Sequence, residues 1–127
     1  DFGMAVFLCY EIVYPDYVRR QAGSADVLLT VSNDGWFGDS HGPHQHFEIS
    51  RMRAVETGRW LLRDTNTGIT GIIDPQGNVT AKLPQFERTV LRGEVTPMGG
   101  RTPYMGWGNL PVLLAAFAVI VLAWRRR

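Results

Sequence analysis

The feature that most limits how this chain can fold is an uncharged, apolar run near its end. Residues 110–124 read LPVLLAAFAVIVLAW, and three arginines follow at 125–127. A helix of this run would be about 22 Å long, shorter than the roughly 30 Å core of a bilayer. Extension back to Met105 supplies the missing length and places Trp107 and Trp124 near the two interfaces. The run therefore predicts a transmembrane helix, with a buried core helix as the alternative.

The arginines beside this run give the predicted helix an orientation. Positive charges that flank a membrane helix stay on the cytoplasmic side, so residues 125–127 form a cytoplasmic basic tail. The rest of the chain then lies on the other face, which is the periplasm in a bacterium. We expect a domain over residues 1–98, a linker over 99–105 and the transmembrane helix over 106–124. The net charge of +1 indicates no nucleic-acid partner.

The first 98 residues alternate between strand and helix patterns, which favours an α/β fold with a mixed sheet. A strand is predicted to end at Cys9, Pro15 begins a helix, and a second strand covers 27–32. Two strands are predicted around the turn at 74–77, and a last strand over 89–96.

The helix that follows the loop GWFGDSHGPHQH has an apolar stripe at three-residue spacing. Ile49, Met52 and Val55 form this stripe, and the pattern predicts that they face the core. The charged residues between them are then predicted to face solvent: Arg51, Arg53 and Glu56.

Cys9 is the only cysteine and the first candidate for chemistry. A junction between a strand and a helix exposes a side chain at the edge of the sheet, where backbone N–H groups can stabilise an oxyanion. A thiol there becomes a nucleophile when its thiolate is stabilised. A buried structural cysteine is the alternative, and spacing alone names no base for the thiol.

The segment HGPHQHFE invites a metal interpretation that its spacing does not support. His44 and His46 would lie on different faces of a helix, and only His44 and Glu48 have i, i+4 spacing. We therefore expect no metal and no cofactor. In the preceding loop, Trp36 and Phe37 either cap the core or form the wall of an acyl-chain pocket.

Longer motifs carry a resemblance to a known family. The segments CYEIVYPDYV, SNDGWFG, GPHQH, RMRAVE, TNTGITGIIDPQGN and TPYMGWGNLPVLL resemble the C-terminal part of the bacterial apolipoprotein N-acyltransferases, which are membrane-embedded members of the nitrilase superfamily. The resemblance covers nearly the whole chain. It implies the C-terminal portion of a four-layer αββα sandwich and a Glu-Lys-Cys triad in which Cys9 is the cysteine. The glutamate base and the lysine are expected upstream, since we expect the chain to be a fragment.

The same resemblance implies roles for residues near the nucleophile. Glu11 matches a glutamate next to the triad cysteine, and Tyr10 is expected to support the active site beside it. Trp36 matches a loop tryptophan near the active site, and we expect it to line the substrate pocket with Phe37.

The reaction implied by the resemblance is acyl transfer at the bacterial inner membrane. The Cys9 thiolate takes an acyl chain from a phospholipid, and the thioester passes it to the N-terminal amine of a diacylglyceryl apolipoprotein. The expected partners are this donor, this acceptor and the membrane. We expect a monomer, and we expect the fragment alone to be inactive. A nitrilase-type amidase and a non-catalytic membrane-anchored binding module are the alternatives.

Overall fold

Three short apolar segments form the parallel half of a sheet. The computed structural model describes residues 2–126, and in it these strands are β1 (Met4–Leu8), β2 (Val27–Ser32) and β3 (Trp60–Thr65). β1 pairs with β2, and β2 pairs with β3, both in parallel. Parallel neighbours need a crossover, and two helices supply it: α1 (Pro15–Gln21) and α2 (Gly42–Thr57). Gly58 ends α2 with a φ of +61°, a conformation that glycine adopts without strain.

Two antiparallel strands complete the sheet. They are β4 (Gly71–Ile73) and β5 (Val79–Lys82), and the strand order is β1-β2-β3-β4-β5. The turn at 74–77 joins them because the Asp74 carboxylate accepts the backbone N–H groups of Gln76 and Asn78. The predicted mixed sheet is confirmed. Residues 60–82 form three strands rather than the predicted two, because the chain also reverses between β3 and β4.

The helices cover only one face of this sheet. Phe7, Leu28 and Leu61 point toward them and are buried, together with residues from the helical layer: Ile12, Val18, Phe47 and Ala54. On the opposite face of β1, Met4, Val6 and Leu8 are 41%, 50% and 62% exposed. The described residues therefore form two layers, one sheet and one helical layer, and leave an apolar sheet face open.

The orientation predicted for α2 is wrong. Met52 and Val55 are 54% and 46% exposed, whereas Arg53 is only 7% exposed. The face of α2 that packs on the rest of the domain carries several polar side chains: His46, Ser50, Arg53 and Thr57. Each of these side chains hydrogen bonds within the domain, so hydrogen bonding overrides the hydrophobic periodicity here.

Residues 89–96 form no strand in the described part of the chain, so that prediction is also wrong. The segment does not run along an edge of the sheet. It crosses the open face near β4, where Gly93 lies against the Ile72 side chain. Without a neighbouring strand, its backbone cannot form a hydrogen-bonded ladder.

The segment predicted as one helix over 106–124 is two helices, α3 (Pro103–Trp107) and α4 (Leu110–Arg125). Gly108 separates them with a φ of +57°, which ends α3. α3 belongs to the domain, because Met105 is buried in its core. In residues 2–126, we find no helix that combines the length and the apolar character needed to cross a bilayer.

The segment predicted as a linker is tied to the domain. The buried Arg59 guanidinium donates hydrogen bonds to the backbone carbonyls of Gly99 and Gly100, and to that of Ala25 just before β2. The Thr102 hydroxyl donates to the Glu56 carbonyl. These bonds fix α3 against the end of the sheet where β2 and β3 begin.

The position of the core face can be tested with one substitution made at two phenylalanines. Phe7→Ala removes a fully buried ring and should lower the free energy of unfolding by about 3–5 kcal/mol. Phe86→Ala removes an exposed ring and should change it by about 0.5 kcal/mol. Denaturant titration followed by tryptophan fluorescence measures both, and equal losses would contradict the assignment of the core face.

Candidate active site

Cys9 lies where β1 ends and a 3-10 turn, Cys9–Val13, begins. This is the predicted junction of strand and helix. The thiol residue is partly exposed, and its backbone is left-handed with a φ of +49°. A left-handed conformation costs a residue with a side chain about 1–2 kcal/mol, so surrounding contacts must hold it.

Two hydrogen bonds hold the Cys9 turn. The backbone N–H of Leu8 donates to Glu11 Oε2 at 2.7 Å, so this carboxylate closes the turn around Cys9. On the other side, His46 Nε2 lies 3.2 Å from the Cys9 carbonyl oxygen. Both contacts restrain the backbone around Cys9. Glu11 therefore influences the position of the thiol by holding the turn.

Beneath the turn, Asp34 is the centre of a buried hydrogen-bond network. Its Oδ1 accepts a hydrogen bond from the Ser32 hydroxyl at 2.6 Å and lies 3.1 Å from His46 Nδ1. Its Oδ2 accepts from Arg63 Nη2 at 2.6 Å. Burial by itself raises the pKa of Asp34, but the bonds from His46 and Ser32 and the charge of Arg63 outweigh it and lower this pKa to about 2. Asp34 is therefore a carboxylate at neutral pH.

Arg63 joins this network to the rest of the domain. Its guanidinium also donates to the Ile69 carbonyl and to the Ser50 hydroxyl. Burial lowers the pKa of Arg63, and the Asp34 carboxylate and Cys9 both oppose that change.

Ser32 connects the network to the sulfur. Its hydroxyl oxygen lies 3.5 Å from Cys9 Sγ. Ser32 also lines a cavity of about 690 Å³ between the carboxyl ends of β2 and β3 and the segment 86–89.

The predicted supporting and pocket residues differ in their contacts. The Tyr10 ring packs edge-on against Tyr14 and lies 6.4 Å from the His46 ring. Phe37 is also 6.4 Å from the His46 ring, whereas Trp36 is 86% exposed and extends into solvent. The structure thus places Phe37 and Tyr10 around His46, and Trp36 at the tip of its loop.

Asp34 and Arg63 are site residues that motif spacing along the sequence does not reveal. A signal was present in the segment WLLRDT, where Arg63 interrupts an apolar strand and therefore requires a buried partner. His46 was considered only as a metal ligand. In residues 2–126, no group of three His, Cys, Asp or Glu side chains could hold a metal ion.

Comparison with known proteins identifies the family. Residues 3–104 match the carbon-nitrogen hydrolase family. The chain belongs to the carbon-nitrogen hydrolase family. Solved structures share the fold: the carbon-nitrogen hydrolase of Helicobacter pylori G27 aligns with a TM-score of 0.60 and 17% identity over 68% of this chain and 38% of its own. A variant of the Nesterenkonia AN1 amidase from the nitrilase superfamily aligns with a TM-score of 0.54 and 22% identity, over 63% of this chain and 33% of its own.

Within this family, the chain is similar to proteins named apolipoprotein N-acyltransferase. The protein from Azotobacter vinelandii is 54% identical over 98% of this chain, and the one from Vibrio vulnificus is 49% identical over 98%. The chain spans 24% and 25% of their respective lengths. It therefore represents about a quarter of the curated relatives that it matches.

Two arginine substitutions can test the network under Cys9. Arg63→Ala removes the guanidinium that pairs with Oδ2 of the buried Asp34 carboxylate and bonds Ser50 and Ile69, and we expect a loss of about 3–5 kcal/mol in the free energy of unfolding. Arg51→Ala breaks the pair with the exposed Glu48 carboxylate and the hydrogen bond to the Gly77 carbonyl, and should cost about 1–2 kcal/mol. The two free energies come from denaturant titrations of both variants, and a small loss for Arg63→Ala would refute the buried charge network.

Proposed function

We propose that this chain is part of a bacterial apolipoprotein N-acyltransferase, in which Cys9 is the nucleophile. The enzyme transfers an acyl chain from a phospholipid to the N-terminal amine of a diacylglyceryl apolipoprotein, and it acts as a monomer. The observation that carries the proposal is the only cysteine of the chain, held in a left-handed turn above a buried charge network. The 54% identity to a protein of that name supports the choice of acyl acceptor.

The chemistry takes place in two steps at the same sulfur. The thiolate attacks the carbonyl carbon of a phospholipid ester, a carbon–sulfur bond forms, and the lysophospholipid leaves as the carbon–oxygen bond breaks. The free amine of the apolipoprotein then attacks the thioester, and the thiol is released as the amide forms. A cysteine suits this exchange because it divides one difficult acyl transfer into two easier ones.

The oxyanion of each tetrahedral intermediate needs hydrogen-bond donors near Cys9. We assign part of this stabilisation to the backbone N–H groups of the turn that begins at Cys9, and the remainder to a lysine. Lys82 is the only lysine of the chain and lies on β5, four strands away from β1. Strands lie about 4.8 Å apart, so Lys82 is roughly 19 Å from the Cys9 edge and cannot reach it. We therefore place the lysine and the general base in other segments of the complete protein.

The base is not supplied by Glu11, because its carboxylate accepts the Leu8 N–H in the turn. We propose that Glu11 positions Cys9 and that Tyr10 supports it. We further propose that Phe37 and Trp36 form the apolar wall along which the acyl chain approaches the sulfur. The aromatic area of these loop residues and the exposure of Trp36 support this role.

The open face of the sheet supports a larger fold than the chain contains. We propose that Met4, Val6 and Leu8 pack against a second sheet, which gives the four-layer αββα sandwich. Apolar residues on one face of a strand favour such sheet-on-sheet packing, about 10 Å apart.

We also propose that α4 anchors the protein in the bacterial inner membrane, with the catalytic domain in the periplasm and the C-terminus in the cytoplasm. The 16 residues of α4 are fewer than a bilayer core needs, and local thinning of the bilayer accommodates a span of this length. No residue of α4 is buried by the domain, and its apolar side chains are exposed around its whole circumference. Three arginines at its C-terminal end support this orientation. Membrane attachment would bring the enzyme to two lipid-anchored substrates.

The catalytic assignment is tested by Cys9→Ala in the complete protein. The variant should reach the membrane at normal levels and lose N-acylation of a reporter lipoprotein, measured as a missing mass shift. In the wild type, incubation with radiolabelled phospholipid should label the protein through a hydroxylamine-sensitive thioester. Normal N-acylation by Cys9→Ala would overturn the proposal. Labelling followed by release of free fatty acid, without transfer to the amine, would instead favour a hydrolase.

The proposed sandwich is tested by introducing one aspartate on the open face of the sheet and, as a control, one on the exposed side of α2. Val6→Asp in the complete protein would bury a carboxylate between two sheets and should lower the free energy of unfolding by about 3 kcal/mol or more. Met52→Asp, on the exposed side of α2, should cost about 0.5 kcal/mol. Denaturant titration compares the two, and a tolerated Val6→Asp would show that the face stays open.

A further inference from the structure

The ring of His46 lies between two hydrogen-bond acceptors. Nδ1 is 3.1 Å from Asp34 Oδ1, and Nε2 is 3.2 Å from the Cys9 carbonyl oxygen. The His46 side chain is only 4% exposed, so water does not replace either contact. The two ring nitrogens therefore have these two oxygens as their hydrogen-bond partners.

Neither of these oxygens can donate a proton. A backbone carbonyl only accepts, and Asp34 is ionised because it already accepts hydrogen bonds from Ser32 and Arg63. A neutral imidazole carries one N–H, so one of its nitrogens would present a lone pair to an oxygen lone pair in a buried site. The doubly protonated ring satisfies both contacts, whereas either neutral form leaves one of them unmade.

A cationic His46 changes the charge balance of the buried cluster. Arg63 and Asp34 alone cancel each other, so the second cation gives the buried cluster a net positive charge, and the exposed Glu11 carboxylate of the Cys9 turn lies outside this cluster. The other groups that face the ring are Tyr10 and Phe37, which are aromatic, and the Ser50 hydroxyl donates to the His46 carbonyl.

We propose that His46 is a positioning residue of the nucleophile: as an imidazolium it holds the Cys9 carbonyl in the left-handed turn and supplies a positive charge that favours the thiolate. The proposal rests on the proposed function in one respect, which is that Cys9 is the reacting thiol. It deepens that function because it assigns a role to a histidine that touches neither substrate.

The protonation state can be read directly in the wild-type protein. In ¹⁵N-histidine-labelled complete protein at pH 7.5, the His46 ring should show two protonated nitrogens whose protons exchange slowly with water. Its ring protons should show contacts to Phe37 and Tyr10, which identify the signal. A ring with one unprotonated nitrogen overturns the proposal.

The effect of the His46 charge can be measured at the Cys9 thiol. We expect His46→Gln to shift the curve of Cys9 iodoacetamide alkylation rate against pH by about one pH unit to higher pH, which corresponds to about tenfold slower alkylation near pH 7. The matched control is His44→Gln, an exposed position on the same helix, whose curve should coincide with the wild type. A curve for His46→Gln that does not move, or a rate lowered equally at every pH, would indicate a packing role only and would overturn the proposal.

These two measurements are independent of acyl transfer. If the wild type forms no acyl thioester from phospholipid while His46 is doubly protonated and the alkylation curve shifts, the proposed function fails and the role of His46 stands. If the thioester forms and neither effect is seen, the role of His46 fails and the proposed function stands.

Discussion

The structure around Cys9 depends on the ion pair between Asp34 and Arg63, whose side chains are both fully buried. Removing two charges from water is costly, and the pair is tolerated because each remaining polar atom finds a partner. Arg63 reaches Ser50 and Ile69, and Asp34 reaches Ser32 and His46. This requirement explains why the inner face of α2 is polar and why its apolar stripe turns to solvent.

The network also explains how the strained backbone of Cys9 can persist. The left-handed backbone of Cys9 is unfavourable, and no local conformational preference of the sequence offsets its cost in free energy. His46 holds the carbonyl of Cys9 from below, and Glu11 closes the turn through the Leu8 N–H. Because α2, β2 and β3 contribute to the network beneath Cys9, rigid elements position the thiol together with its own turn. A site of this kind suits a reaction in which one sulfur must meet two different substrates.

The domain and α3 are joined more firmly than a flexible linker would allow. Arg59 holds the carbonyls of Gly99 and Gly100, and Met105 completes the hydrophobic core. These contacts lie at the end of the sheet where β2 and β3 begin, whereas Cys9 follows the end of β1. In the membrane-bound enzyme that we propose, the sheet therefore acts as a rigid spacer between the point of attachment and the sulfur.

The sequence alone determined the class of the domain and the place of its thiol. Apolar runs of strand length predicted β1 and β2, Pro15 marked the start of α1, and Cys9 was expected at the end of a strand, because these signals are local to a few residues. The tertiary structure alone decided which face of α2 is buried, that residues 89–96 form no strand, and that Asp34, His46 and Arg63 meet beneath Cys9. These outcomes depend on the pairing of buried charges on residues that are far apart in the chain. No local sequence pattern can indicate that pairing.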